Sequence, residues 1–298
     1  MQFDSRQLAA LSAILRLGSF EAAAGALGVT QSAISQRVKA LEEQVGAVLV
    51  LRESPCRGTE AGIRLTAHAE AVALMEDQVS RDLGRAEPET GPVRVRIAVN
   101  ADSLDTWFLA ALEGHDGLAF DLVVDDESHS ADWLRRGEVM AAVTDHARPV
   151  QGCDVHALGS LRYVACASPA FMERWFAGGV NAKTLARAPV MQFNEKDDLQ
   201  ANWVSTHFGK PVGQPPAHRV PSSTAFAAGT QHGLGWGMNP VPMVWRQLRR
   251  GHLVHLKEEA PLDVPLYWQV SRMLAPVLAP LTQAVRDKAG GALEGPDG

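Results

Sequence analysis

Cysteine is scarce in this chain. Three occur in 298 residues, at positions 56, 153 and 166, and none forms a C-x-x-C pair. That spacing supplies neither a disulfide framework nor a zinc site. Long apolar runs are missing as well, with none near the roughly 20 residues needed to cross a bilayer. The opening MQFDSRQLAA has no basic segment leading into an apolar core, so it does not read as a signal peptide. A cytoplasmic protein without a membrane partner is expected. Patterns of catalysis are equally absent: there is no G-x-S-x-G, H-E-x-x-H or P-loop spacing, and the ten histidines are scattered. Neither an enzyme nor a cofactor is expected. Excess positive charge is lacking too, since the formal net charge is −6. Its distribution matters more than its sum: residues 1–64 hold seven basic and six acidic side chains, leaving 21 and 28 for the rest. Any DNA affinity therefore depends on where a few cations point.

What is present begins with residues 19–46, SFEAAAGALGVTQSAISQRVKALEEQVG. Ser19 suits an N-cap, Ala22, Ala23, Ala24 and Leu27 propagate a helix, and Gly28 ends it. Thr30 caps a second helix that Gly46 stops. Ala33, Val38, Leu41 and Val45 are read as its inward face. Gln31, Ser32, Ser35, Gln36, Arg37 and Lys39 are left outside, where amides and hydroxyls suit base edges and cations suit phosphates. Spacing alone leaves a plain helical hairpin with a solvated face as the alternative.

Around this hairpin, residues 4–16 read as an amphipathic helix with an Asp4/Gln7 capping box and a Leu8, Leu11, Leu15 stripe. Residues 47–58 read as a β-hairpin wing with Pro55 and Gly58 at its tip, placing Arg52 and Arg57 near flanking phosphates or in solvent. A DNA-binding domain thus spans 1–58. Residues 59–84 form one long helix with a seam of Leu65, Ala69, Val72, Val79 and Leu83, suited to pairing with a second copy. A Pro/Gly hinge follows at 85–92. Strand-like and helical runs then alternate, which argues for a parallel sheet with crossover helices. The first lobe takes 93–160 and 266–290, the second 161–265. Residues 291–298 are expected to be disordered.

The run Thr30-Gln31-Ser32-Ala33-Ile34-Ser35-Gln36-Arg37-Val38-Lys39-Ala40-Leu41-Glu42, with Ala22-Ala23 and Leu27 before it, closely resembles LysR-type transcriptional regulators. So do Val45-Gly46, Leu49, Arg52 and Thr59-Glu60-Ala61-Gly62 after it. The resemblance implies a winged helix-turn-helix (all-α with a small β wing), a long linker helix and a two-lobed α/β effector domain like a periplasmic binding protein. It implies a homodimer or homotetramer on double-stranded operator half-sites, RNA polymerase as a partner, and a small molecule between the lobes. Some such proteins sense oxidants through a cysteine pair. Here Cys153 sits in a turn-like Gln-Gly-Cys-Asp and Cys166 in an apolar run, so inert buried thiols are the preferred reading.

In open α/β sheets, ligands sit at strand ends, where helix N-termini present free N–H groups. Three such places stand out: Asn100-Ala101-Asp102-Ser103, Gln192-Phe193-Asn194, and Pro221-Ser222-Ser223-Thr224. Ser103, Ser222 and Ser223 would either hold a carboxylate or merely cap helices. Asp125, Asp126 and Glu127 close one strand beside Asp102. Carboxylates among anion-binding helix starts suit a cationic amino acid, lysine or arginine, although a solvated acidic loop is the alternative. The resemblance here extends to one branch of the family, the ArgP/LysG regulators of basic amino acid export. It is carried by Asn100-Ala101-Asp102-Ser103-Leu104, Thr106-Trp107, Asp126-Glu127, Ala142-Val143-Thr144, Val220-Pro221-Ser222-Ser223 and Tyr267-Trp268-Gln269. It implies an activator of an exporter gene, and it adds Thr144 to the expected site. Asp145 matches no carried pattern and is left out. The alternative is a regulator answering another metabolite or oxidation of Cys153 and Cys166.

Overall fold

The computed structural model describes residues 2–84, 92–125, 127–209 and 215–295, with backbone alone at 127–129. The chain opens with three helices, α1 (Ser5–Leu17), α2 (Phe20–Ala26) and α3 (Gln31–Val45). Each start is capped by the side chain expected of it. Asp4 accepts from Arg6 N at 2.8 Å and Gln7 N at 3.1 Å, Ser19 from Ala22 N, and Thr30 from Ala33 N. The reciprocal half of the Asp4/Gln7 box is not made, because Gln7 Oε1 is buried without a partner. Gly18 and Gly46 take φ of 67° and 76° at the helix ends, a conformation that costs other residues a Cβ clash. The core of this domain joins Leu8, Leu11 and Ile14 to Ala23, Ile34, Val38 and Leu41. Ile34, rather than Ala33, is the first inward residue of α3.

The wing is short: β1 (Val50–Leu51) pairs antiparallel with β2 (Arg57–Gly58). Gly58 therefore sits in a strand and not at the tip. The linker helix α4 (Glu60–Asp82) starts at a Thr59 cap. Gly62 is required there, since a Cβ would run into the Leu49 carbonyl oxygen. The expected seam does not survive as one stripe. Leu65 and Ala69 pack on the DNA-binding core, while Ala71 and Leu74 join the effector core. What remains outward is the C-terminal end, with Val79 56% and Leu83 71% exposed. The hinge expected at 85–92 lies outside the described residues except for Pro92.

The effector domain follows as β3 (Val93–Val99), α5 (Ala101–Thr106), a 3-10 turn over Phe108–Leu112, β4 (Leu118–Val124), α6 (Glu127–Arg136) and β5 (Ala141–Thr144). Next come β6 (Cys153–Ala167), α7 (Pro169–Trp175), α8 (Ala182–Leu185), β7 (Val190–Gln192), α9 (Leu199–Phe208) and β8 (Ala217–Arg219). The chain closes with α10 (Ser223–Gln231), β9 (Gly237–Pro240), α11 (Val241–Arg249), β10 (Val254–His255), β11 (Leu262–Ser271) and α12 (Ala279–Ala292).

The main sheet runs β10-β6-β11-β5-β3-β4, with β9 also on β6. The expected parallel pairing holds for β3 with β4 and β5, and for β7 with β8 in the second lobe. It fails for the long strands, since β11 is antiparallel to both β5 and β6. Long antiparallel strands need cross-strand partners far away in sequence, and local patterning does not report those. The lobe boundaries drawn at 160/161 and 265/266 therefore fall inside β6 and β11, which pass through both lobes as one ribbon. An irregularity between Leu266 and Tyr267 marks the crossing, opposite Gly159 at φ 116°.

The expected disorder from 291 onward is corrected for residues 291–295. The last helix continues to Ala292, and Glu294 exchanges two backbone hydrogen bonds with Ser160, both 2.9 Å. A Cβ on Gly159 would collide with the Glu294 carbonyl oxygen, so the close approach depends on glycine. Residues 296–298 lie outside the described part.

Candidate effector cleft and DNA-reading helix

On α3, Gln31, Ser32, Gln36 and Lys39 are exposed, and Ser35 and Arg37 are half-buried on opposite flanks of the helix. Their orientation follows from the inward Ile34, Val38 and Leu41, which use the spacings of four and three that keep one helix face. Thr30 and Ser32 hydroxyls are 3.0 Å apart at the helix start. Lys39 pairs loosely with Glu43 at 3.7 Å, both ends being exposed, which leaves the cation free to exchange partners. Arg52 lies over the Phe20 ring at 5.0 Å, and Arg57 is exposed on the wing.

A cavity of about 370 Å³ opens between the lobes of the effector domain. Asn100, Asp102 and Asp145 come to it from the first lobe. Phe193, Lys196, Asp197, Asp198 and Gln200 come from the second, along with Ser223. Asp102 is the deepest charge. Tyr163 of β6 donates its hydroxyl to Asp102 Oδ2 at 2.6 Å. Burial pushes the Asp102 carboxyl above the ordinary range; the Ser223 and Tyr163 hydroxyls oppose that shift, and Asp197 and Asp105 add to it. Across the rim, Thr224 donates to Asp105 Oδ2 at 3.1 Å, tying α10 to α5.

Not every cleft carboxylate is free for a ligand. Asp197 accepts from Phe193 N at 2.7 Å and Leu199 N at 3.1 Å, so it shapes the loop into α9. Asp263 is held in a fork by Arg162, with both bonds 2.8 Å. Asp145 takes His146 Nδ1 at 2.6 Å. Asp198 occupies the N-cap position of α9 without capping it by its side chain. Asn100 Oδ1 and Gln200 Oε1 are buried acceptors with no partner among the described residues.

Of the effector residues read from sequence, Asn100, Asp102, Phe193 and Ser223 line the cleft. Five others are placed elsewhere. Ser103 is fully buried in α5. Thr144 is buried and receives Gln269 Nε2 at 3.1 Å, so it serves the packing of β5 on β11. Ser222 caps α10 by accepting from Ala225 N. Gln192 lines a second cavity, which shares Gln200 with the cleft. Asp125 accepts from Trp133 Nε1 at 3.0 Å and stands 4.0 Å from Lys196. The side chain of Glu127, and all of Asp126, lie outside the described residues. The reading missed Lys196, Asp197, Asp198 and Gln200, and it set aside Asp145. The run Glu195-Lys196-Asp197-Asp198 between a strand and a helix was the available signal.

The paired-thiol alternative does not fit the geometry. Cys153 and Cys166 sit at opposite ends of β6, about 40 Å apart along an extended strand. A disulfide needs Cα atoms within about 7 Å. Burial pushes the Cys166 thiol up to about 12, and Cys153 is raised for the same reason, so neither is a ready thiolate.

Comparison with known proteins matches residues 5–70 to the "Bacterial regulatory helix-turn-helix protein, lysR family" and residues 86–290 to the "LysR substrate binding domain". The HTH-type transcriptional regulator LysG of Mycobacterium tuberculosis is 44% identical over 294 residues, covering 99% of this chain and 96% of that one. The crystal structure of ArgP from Mycobacterium tuberculosis superposes with a TM-score of 0.83 at 44% identity, covering 99% and 100%. Full-length LysG from Corynebacterium glutamicum with bound effector Arg gives a TM-score of 0.69 at 38% identity, covering 98% and 100%.

Proposed function

Since the chain belongs to the LysR family of transcriptional regulators, and is a regulator and not an enzyme, we propose that it reads operator DNA through α3 and answers a basic amino acid in the cleft. Gln31, Ser32, Ser35 and Gln36 meet base edges, and Arg37, Lys39, Arg52 and Arg57 meet phosphates. The observation that carries the effector reading is the acceptor-rich wall. Asp102, Asp145 and Asp198, with the Asn100 and Gln200 oxygens, face one lining cation among the described residues, Lys196. Such a wall is complementary to an ammonium or guanidinium. The α10 N-terminus offers backbone N–H groups to an α-carboxylate. The arginine bound in the Corynebacterium glutamicum relative supports the same ligand class.

Ligand in the cleft favours one lobe angle by its differential affinity for the two states, and the change reaches the paired readers through α4. The protein acts in the cytoplasm as a homodimer or homotetramer, engages RNA polymerase, and controls an exporter gene for lysine or arginine. The exposed Val79 and Leu83 support the pairing. Isothermal titration with arginine, lysine and an anionic amino acid tests the effector. Saturable binding of a basic amino acid is expected, and no binding of either one would retire the proposal. Gel-shift titration with the divergent promoter region beside the gene tests the DNA arm.

A further inference from the structure

The charges on the cleft wall do not balance for an amino acid. Asp102, Asp145 and Asp198 come with two buried carbonyl acceptors, Asn100 Oδ1 and Gln200 Oε1, that have no hydrogen-bond partner among the described residues. Asp102 and Asp145 each already take one donor, from Tyr163 and His146, and like the other three groups keep lone pairs for more. Against them stands Lys196 alone among the described lining residues, with its ammonium 4.0 Å from Asp125 and its side chain 54% exposed. An α-carboxylate entering this space is repelled by the aspartates and attracted mainly by Lys196 and the N–H groups of α10. An amine that lacks the carboxylate loses that repulsion and keeps its donors.

From this imbalance, and resting on the effector reading above, we infer that the cleft also takes the decarboxylated counterparts of basic amino acids, linear diamines and guanidino-amines, and that Lys196 is the residue that tells the two classes apart. Asp102 and the orphan acceptors read the cationic groups that both classes share. Lys196 reads the group that only the amino acid carries. Its position on the loop between β7 and α9, within reach of Asp125 on the other lobe, also gives it a partner to leave when a carboxylate arrives.

The test is isothermal titration of the full chain with arginine and agmatine, and with lysine and cadaverine, on the wild type and on Lys196→Met and Lys196→Gln. Both substitutions keep most of the length of a half-exposed side chain and remove its charge, and unchanged thermal midpoints would show that folding is intact. Wild type is expected to bind agmatine and cadaverine in competition with arginine. Each variant is expected to lose about tenfold in arginine and lysine affinity, as a charge-assisted contact would. Its affinity for the amines should hold or rise. The inference is overturned if arginine binds and agmatine does not. It is also overturned if both classes weaken equally in the variants, or if neither changes. Absence of arginine and lysine binding to wild type would instead strike the effector reading itself.

Discussion

Replacing Asp102 by Asn separates what the cleft does for stability from what it does for recognition. The carboxyl is enclosed, with Tyr163 donating to it at 2.6 Å, and burial raises its proton affinity. In the empty protein the folded state therefore keeps a proton that the unfolded chain releases, between the ordinary carboxylate value and the raised one. Stability is greatest below that window and falls as pH rises through it. Asparagine has no proton to lose and can still accept from Tyr163. The variant should thus match the wild type at low pH and melt higher above the window. Binding should move the other way. A cationic ligand favours the ionised carboxylate, so wild-type affinity climbs with pH through the same window and then levels. Removing one charge from a buried pair costs about 3 kcal/mol, on the order of 100-fold in Kd. Thermal melts and isothermal titrations over a pH series that begins below the ordinary carboxylate value and runs to neutrality read both effects. A variant that binds arginine as the wild type does, or that keeps the wild-type pH slope, would refute the assignment of this carboxylate.

Arg37→Ala should weaken operator binding and lower the salt slope by about 0.9, the share of one phosphate contact, in gel shifts at several salt concentrations. An unchanged slope would take Arg37 off the backbone. Gly62→Ala should destabilise by about 2–4 kcal/mol in denaturant melts, because the collision with Leu49 outweighs the roughly 1 kcal/mol that alanine adds in a helix. Val79→Asp with Leu83→Asp should yield monomers in light scattering and lose operator affinity, since both side chains are exposed in the single chain. Peroxide should leave operator affinity unchanged in a Cys153→Ser, Cys166→Ser variant and in the wild type alike.

The DNA-binding end was legible because its signals are local. Ser19, Thr30, Gly46 and Thr59 act on neighbours within a turn, and each does in space what its position implies. The cleft was half legible for the opposite reason. Strand ends and helix starts pointed to Asn100, Asp102, Phe193 and Ser223, but a residue's neighbours across the sheet are set by register. Thr144 carries the right chemistry, yet Gln269, 125 positions away, claims its hydroxyl. Lys196 and Asp198 reach the wall because the loop after β7 folds over it, and nothing in the alternation of apolar residues reports that turn. The C-terminal residues looked unanchored by composition; their anchor, Ser160, lies more than 130 positions upstream.

The ribbon of β6 and β11 limits how a ligand's arrival can be transmitted. Two strands stitched by hydrogen bonds resist sliding past one another, so the lobes cannot slip apart along that direction without tearing a ladder. They can still flex at the irregular step near Leu266, where Glu294 also grips Ser160. A ligand that shifts the lobes would therefore turn them about a clamped fulcrum, and cutting the chain back past Glu294 would loosen that fulcrum while leaving the cleft lining and α3 in place.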